Sequence, residues 1–498
     1  MVGEIKEEAA AKIRDGLAGV PAEVVRETPE AASAVLTWEA DGESIEYRAT
    51  ASHVEVRDDA GRLIGKMFSI AFVALENGEP NPDRPVTFCY NGGPGCASVP
   101  LNVGAIGPKT VPTNGLGHIG PQAQAEDNPH TLLKYSDMVF LDALGTGWSV
   151  LAEDTDPKKV FGVDGDADAF ARAIHSWLER EGRWTSPLYL FGESYGTPRN
   201  AVLSRVLGER GVQLTGVVML SSIFDWAQIL PGEDLYYLGM MPTFAAAAQH
   251  FGRAGVGQDP DEWFDSCMDF TEQVYAPALL QGSAVGEERG REVAAQLAER
   301  IGLPAGYVWR KRLRIDLDDF RAKLLEDEGR VVGRYDMRFT SDAPGPVQRS
   351  TSFFEGEDAS DDAVEGAWTR AFRSLCHDKL GYQGPANYLS ANYEAVGRSW
   401  DWVHENPGIG GKLPLPNVAF DLATAMRRNP TMRVAILGGR YDAATTFWNV
   451  RHDIRCQFLS PELERQVVFH RYGCGHMAYV DMPTLEQLDK DMAAFYGA

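Results

Sequence analysis

Leu188-Tyr189-Leu190-Phe191-Gly192-Glu193-Ser194-Tyr195-Gly196 reads as an apolar strand that runs into G-x-S-x-G and then into a stretch able to form a helix. A serine on so tight a strand-to-helix turn has its hydroxyl pushed clear of the backbone, and only small flanking residues such as Gly192 and Gly196 permit the turn. Ser194 is therefore a candidate nucleophile. An ordinary Gly/Ser turn also fits these five residues, so the rest of the chain must supply a base and an oxyanion site.

The chain has 498 residues, 44% of them hydrophobic, enough to bury a large core. Its formal net charge of -24 argues against nucleic acid or an anionic membrane as partner. No apolar run is long enough to cross a bilayer, and Met1 to Ala18 is charged where a secretory leader would have an apolar centre. The expectation from this pattern is a cytoplasmic protein. Six cysteines, Cys89, Cys96, Cys267, Cys376, Cys456 and Cys474, are too sparse for a disulfide scaffold and form no C-x-x-C pair suited to zinc, so free thiols are expected. No N-x-S/T sequon with a permitted middle residue occurs.

Residues 1–44 read as a helical, acidic lead-in. From Ile45 to Leu75, β-branched and aromatic runs such as 47–56 and 67–73 predict paired antiparallel strands. The short apolar strand 86–90 then runs into Asn91-Gly92-Gly93-Pro94-Gly95-Cys96. A backbone that presents bare N–H groups to a developing oxyanion needs residues without a Cβ. A tight turn would look the same. Combined with a downstream G-x-S-x-G, however, this loop matches the two-part oxyanion hole of α/β-hydrolases, with Gly93 and Tyr195 as the amide donors. Gly115 to Gly120 is formally G-x-G-x-x-G, but no strand feeds it and Pro121 blocks the helix that should follow, so it is not a dinucleotide site.

Asp137 to Ala143 predicts a buried parallel strand, and 167–180 a helix with Phe170, Ile174 and Leu178 on one face. Beyond Phe224 the pattern changes to amphipathic helices near 234–252, 286–302, 315–328 and 362–376. The acidic stretch 354–362 reads as a solvated connection. Strand 433–439 then delivers Asp442, where a triad acid belongs; Asp453 competes nearby. Strand 466–472 leads into Gly473-Cys474-Gly475-His476-Met477. A histidine flanked by glycines can swing toward the serine, which His470 on the strand cannot easily do. The chain order Ser194, Asp442, His476 is that of α/β-hydrolases.

N-G-G-P-G-C at 91–96 with G-E-S-Y-G at 192–196 resembles the serine carboxypeptidase family, peptidase family S10, and G-x-G-H-M at 473–477 and G-T-G-W-S at 145–149 are similar to further motifs of it. The resemblance implies an α/β-hydrolase fold with a mostly helical cap, and removal of C-terminal residues from peptides without a cofactor. It implies that the substrate carboxylate is captured by Asn91 and by Glu193, beside Gly92, and that Trp148 walls the pocket. In the family a second Glu pairs with the one before the nucleophile; here Ala105-Ile106-Gly107-Pro108 stands where E-x-G-P is usual. Two close carboxyls share a proton and so bind a carboxylate at acid pH. Ala105 removes that device, so activity is expected to follow deprotonation of His476 and to persist at neutral pH. Arg199, five residues past the nucleophile, is a candidate replacement, or a structural ion-pair partner such as one for Glu193.

The fold class expected is α/β: an α/β-hydrolase core with a mostly parallel central sheet, antiparallel N-terminal strands and a large helical cap inserted late in the sheet. Its parts are 1–44 (lead-in), 45–224 (core), 225–415 (cap) and 416–498 (core). The activity expected is that of a serine-type carboxypeptidase acting through an acyl-enzyme, with an esterase or acyltransferase on the same triad, or a non-catalytic binding protein, as alternatives. A peptide or ester is the partner expected. Cofactor, metal, nucleic acid and membrane are not, and the oligomeric state is left open, a homodimer included.

Overall fold

The computed structural model describes residues 28–113, 115–120, 123–342 and 358–497. The central sheet follows a path of nine strands, β1 (Ala32–Ala40), β2 (Glu43–Arg57), β3 (Leu63–Glu76), β4 (Val86–Tyr90), β5 (Asp137–Leu141), β6 (Leu188–Glu193), β7 (Gly216–Leu220), β8 (Arg433–Gly439) and β9 (Val467–Tyr472). Their order across the sheet is β1-β2-β3-β5-β4-β6-β7-β8-β9. The first three strands pair antiparallel, as does β3 with β5. All pairings from β5 to β9 are parallel.

Strand periodicity explains how both faces of this sheet are buried. Val86 and Phe88 of β4, Leu188 and Leu190 of β6, Val217 and Met219 of β7, and Val434 and Ile436 of β8 pack into one cluster. Their alternates Cys89, Tyr189, Phe191, Val218, Leu220, Ala435 and Leu437 pack into a second. Helix α1 (Val163–Glu181) and helix α2 (Gly196–Glu209) cover the first face, through residues such as Phe170, Ile174, Val202 and Leu203. Helix Met482–Tyr496 covers the other through Leu485, Leu488 and Met492.

The lead-in expectation is corrected for its second half. Ala32–Ala40 is a strand whose Ala34, Leu36 and Trp38 turn inward while Ser33, Val35, Thr37 and Glu39 turn out, a period of two rather than of a helix. Trp38 anchors it, its indole N–H donating to Asn128 O at 2.8 Å. Residues 1–27 of that expectation lie outside the described residues.

Between β7 and β8 the chain forms helices including Asp234–His250, Pro260–Phe270, Glu287–Ile301 and Glu365–Ser374, with two small hairpins at 330–342 and 404–413. A third apolar cluster holds the first of these helices together and meets the sheet side at Tyr441, Phe447 and Trp448. The acidic stretch 354–362 is not all a solvated connection as expected: its described part contains a short helix, Ala359–Asp362, capped by Asp358.

A charge cluster around the buried His404 fixes the segment that packs against Tyr195. His404 lies between two carboxylates, Nδ1 2.7 Å from Asp164 Oδ1 at the start of α1 and Nε2 2.8 Å from Asp421 Oδ2, while Arg205 Nε donates to Asp421 Oδ1 at 2.7 Å. Just before it, Trp400 and Trp402 pack edge-on to the Tyr195 ring, with centroids 5.0 and 6.1 Å away. Burial would lower the His404 pKa, but the hydrogen bonds and charges of Asp164 and Asp421 prevail and raise it to about 9.

A folded pKa above the unfolded value of about 6.5 means that this stabilisation is full below pH 6.5 and is lost as pH rises through about 9. His404→Gln is expected to cost on the order of 3 kcal/mol at pH 6, because it takes a charged donor from the buried Asp421, leaving that carboxylate only Arg205, and from the half-exposed Asp164. Thermal unfolding followed from pH 6 to about pH 10 should show the gap to wild type narrowing; a gap independent of pH would contradict this role.

Candidate active site

Ser194 sits between β6 and α2 with φ 56°, in the left-handed region that a non-glycine residue enters at a cost of about 1–2 kcal/mol. The turn is held from both sides: Ser194 N–H donates to Leu220 O at 2.9 Å, and Thr197 N–H to Ser194 O at 2.8 Å. A Cβ on Gly192 would stand 2.2 Å from Gly196 O, and one on Gly196 would stand 2.9 Å from Tyr90 O. Both glycines of G-x-S-x-G are therefore steric requirements of the crossing.

The Asn91-to-Cys96 loop lies directly against this turn. A Cβ on Gly92 would fall 2.2 Å from Tyr195 N, so the loop approaches the elbow as closely as bare backbone allows. Gly93, with φ 103°, and Tyr195 line the same cavity as Ser194 and His476. The two residues whose amides are the candidate oxyanion donors, one from each side of the approach, thus line one cavity with Ser194.

The candidate acid and base, Asp442 and His476, follow the ends of β8 and β9. Asp442 is fully buried and accepts from Ala444 N–H at 2.8 Å, Thr445 N–H at 2.9 Å, Thr445 Oγ1 at 2.7 Å and His476 Nδ1 at 2.8 Å. With Nδ1–H committed to Asp442, Nε2 of His476 is left as the acceptor. The backbone on either side of the ring is also fixed, His476 N–H donating to Tyr335 O at 2.6 Å and Ser221 Oγ to His476 O at 2.6 Å. Burial lowers the His476 pKa, but the charge and hydrogen bond of Asp442 outweigh it and the net shift is upward. The rival residues fall elsewhere: Asp453 is bonded by Gln228, and His470 lies 3.2 Å from Asp491.

Asn91 and Glu193 form one wall. Asn91 Nδ2 donates to Glu193 Oε2 at 2.7 Å, and its own Oδ1 accepts from Leu101 N–H at 3.0 Å, which fixes the amide orientation. Ala105 is buried in the turn of helix that follows the loop. In place of a second carboxyl, the Tyr479 hydroxyl donates to Glu193, 2.9 Å from each oxygen. Burial pushes the Glu193 pKa up to about 7 despite these donors and the nearby His476. Sequence reasoning missed Tyr479, because nothing in its spacing from His476 marks a phenol aimed back at Glu193. It also missed Trp226, Arg334, Tyr335, Asp361 and Tyr393, which line the cavity from the long segment between β7 and β8.

Two expected substrate contacts are corrected. Trp148 does not line the cavity: its indole N–H donates to Ala386 O at 2.9 Å, and its ring packs among Phe68, Tyr382 and Tyr388 at 4.9 to 5.4 Å. Arg199 is also buried outside the cavity, because the first turn of α2 aims it inward over Phe170, with its charge centre 4.3 Å from the ring centroid. Its Nε donates to Asp166 Oδ2 at 2.6 Å and its Nη1 to Asn91 O at 2.8 Å. The structural ion pair is thus with Asp166, not Glu193, and Arg199 acts on the site by holding the Asn91 backbone.

All six cysteines are unpaired, and the Cys96 thiol lies 2.8 Å from the Tyr393 hydroxyl. Among the described residues no group of three or more His, Cys, Asp or Glu side chains is placed to hold a metal ion.

Residues 44–210 match the family described as Serine carboxypeptidase. Serine carboxypeptidase-like 31 of Arabidopsis thaliana is 31% identical over 30% of this chain and 28% of its own length. Serine carboxypeptidase-like 50 of the same plant is 30% identical over 35% of this chain and 39% of its own length. The pheromone-processing carboxypeptidase kex1 of Sclerotinia sclerotiorum is 29% identical over 32% of this chain and 23% of its own length. The matches therefore span about a quarter to two fifths of these relatives. Among solved structures, Kex1(delta)p, a prohormone-processing carboxypeptidase from Saccharomyces cerevisiae, superposes with a TM-score of 0.54 at 14% identity over 91% of each chain. The fold is that of an α/β-hydrolase, and the resemblance to the serine carboxypeptidase family stands.

The expected cytoplasmic location does not stand. The finding that overturns it is the similarity to serine carboxypeptidase-like proteins, one of them named as a pheromone-processing carboxypeptidase.

Arg199→Met is expected to lower stability by about 3 kcal/mol, since it strands the buried Asp166 carboxylate. Urea denaturation checks this, and a variant as stable as wild type would show that the pair is not the support it is taken for.

Proposed function

We propose that the chain is a serine-type carboxypeptidase-like hydrolase in which Ser194, His476 and Asp442 form the triad and the helical segment 225–415 is the cap. The observation that carries this reading is the commitment of His476 Nδ1–H to Asp442 in the one cavity that also holds Ser194, Gly93, Tyr195 and the Asn91–Glu193–Tyr479 wall. His476 Nε2 takes the Ser194 proton as Oγ attacks the substrate carbonyl. The Gly93 and Tyr195 amides donate to the tetrahedral oxyanion, while Asp442 supports the imidazolium. His476 then passes the proton to the leaving amine, which departs and leaves an acyl-enzyme. Water attacks the ester with His476 again as base, and Ser194 regains its proton as the acid product leaves.

Recognition of a terminal carboxylate is assigned to Asn91 and Glu193. A protonated Glu193 donates to such a carboxylate, whereas an ionised one repels it. With its pKa raised to about 7, Glu193 holds the proton below that pH and loses it above. Ala105 removes the second carboxyl from the wall, and that observation favours a second reading, an esterase or acyltransferase on the same triad. The same peptide offered as free acid, C-terminal amide and ester separates the readings: a carboxypeptidase cleaves the free acid best, and products by mass identify the bond broken.

For the free acid, kcat/KM should rise as His476 deprotonates and fall as pH passes about 7, while the amide and ester should keep rising. Tyr479→Phe removes a donor that favours the charged form of Glu193, so its alkaline limb should move to higher pH. Parallel profiles for acid and amide, or a limb unmoved in Tyr479→Phe, would count against this carboxylate site. Ser194→Ala and His476→Ala should each lower kcat on the order of 10⁴-fold with the fold intact. Near-normal turnover in either would remove the triad assignment.

A further inference from the structure

Residues 333–339 join the two strands of the hairpin at 330–342, in the long segment between β7 and β8, and they are bonded to both loops that carry the candidate acid and base. The turn closes on itself, Gly333 N–H donating to Phe339 O at 2.8 Å and Phe339 N–H to Asp336 O at 3.0 Å. From it Met337 N–H donates to Tyr441 O at 3.1 Å, and Arg334 O accepts from Ala443 N–H at 3.1 Å, one on each side of Asp442. Tyr335 O accepts from His476 N–H at 2.6 Å. A single short strap of backbone thus ties together the two loops that must meet for Asp442 to hold His476.

The side chains of the strap extend its grip to the glycines before His476. Asp336 Oδ2 accepts from Gly475 N–H at 3.0 Å, and Arg338 Nη1 donates to Gly473 O at 2.8 Å. The two side chains are also joined to each other, Arg338 Nε donating to Asp336 Oδ1 at 3.0 Å and Nη2 to Oδ2 at 2.6 Å, while Nη1 reaches Asp481 Oδ2 at 2.7 Å. A guanidinium has the number of donors, fixed in one plane, that these acceptors need, and both side chains are nearly buried, so water competes little for them. A Cβ on Gly475 would stand 2.4 Å from Tyr335 O and from the Asp336 Cβ, so strap and loop pack without a gap.

The loop Gly473-Cys474-Gly475-His476 has two glycines in four residues and little stiffness of its own. A base displaced by about 1 Å can lose on the order of 10²-fold in rate. An ion pair that served stability alone would not need to end on the Gly473 carbonyl and the Gly475 N–H. We propose that Arg338 and Asp336 are positioning residues that keep His476 in register with Asp442.

This inference rests on the triad reading for what His476 does, and its test separates the two. The Nδ1–H proton between His476 and Asp442 is followed by NMR at low field in the full chain carrying Ser194→Ala, alone and combined with Arg338→Met, Arg338→Lys or Asp336→Ala. With Ser194 intact, kcat and KM of the same variants are measured on an activated p-nitrophenyl ester, and urea denaturation establishes which of them fold. Arg338→Met and Asp336→Ala should displace the resonance and lower kcat on the order of 10²-fold, with KM within about threefold of wild type. Arg338→Lys keeps the charge but not the planar fork, and should restore kcat to about a tenth of wild type with the resonance still displaced; it carries the test if the other two do not fold. An unmoved resonance or wild-type kcat in a folded variant, or a loss confined to KM, overturns the proposal. A displaced resonance in a Ser194→Ala chain that keeps full turnover retains the role of the strap and defeats the triad reading instead.

Discussion

The site depends on how closely two stretches of backbone can approach. Ser194 is forced to φ 56° between β6 and α2, and Gly92 lies against Tyr195 N with no room for a Cβ. A methyl group at Gly92, Gly192 or Gly196 would separate the elbow from the loop or from its own strand. The strain is carried by the parallel strands on either side, which grip the turn through Leu220 O and bury it in two apolar layers. The backbone positions of Ser194 and of the Gly93 and Tyr195 residues beside it are in this way set by the fold itself.

Around that fixed point the charges are arranged by the number of donors each receives. Four donors converge on Asp442, and two on the equally buried Glu193, whose pKa rises to about 7. His476 lies near both, with one nitrogen committed to Asp442. Two carboxyls at one site are so given different surroundings: one holds the His476 ring, and burial raises the pKa of the other to about 7. Tyr479 permits this with a single carboxyl, because a phenol supplies a donor and adds no charge. More remote charges act through packing, as Arg199 holds the Asn91 backbone and His404 the tryptophans behind Tyr195.

What could be read from the sequence was whatever is encoded locally. The elbow, the glycine loop, and Asp442 and His476 at strand ends are each defined by a few consecutive residues with a backbone requirement. The central strands 86–90 and 433–439 were visible as short apolar runs. The residues misread or missed are those whose direction only tertiary packing decides. Trp148 and Arg199 lie beside motif residues yet turn into the core, while Tyr479 and Asp361 come from helical turns with no motif and reach the cavity. The strand at 32–40 was legible in its alternation but was taken with the acidic stretch before it.

The account stands most directly on Ser194 becoming esterified during turnover. The protein is mixed with an activated p-nitrophenyl ester, quenched in acid within the first turnovers, digested and weighed by mass spectrometry. The acyl mass is predicted on the peptide that carries Ser194, and it should be absent in Ser194→Ala and greatly reduced in His476→Ala. Steady ester hydrolysis with the acyl group on another residue, or an unmodified Ser194 peptide at every quench time while product accumulates, would contradict it.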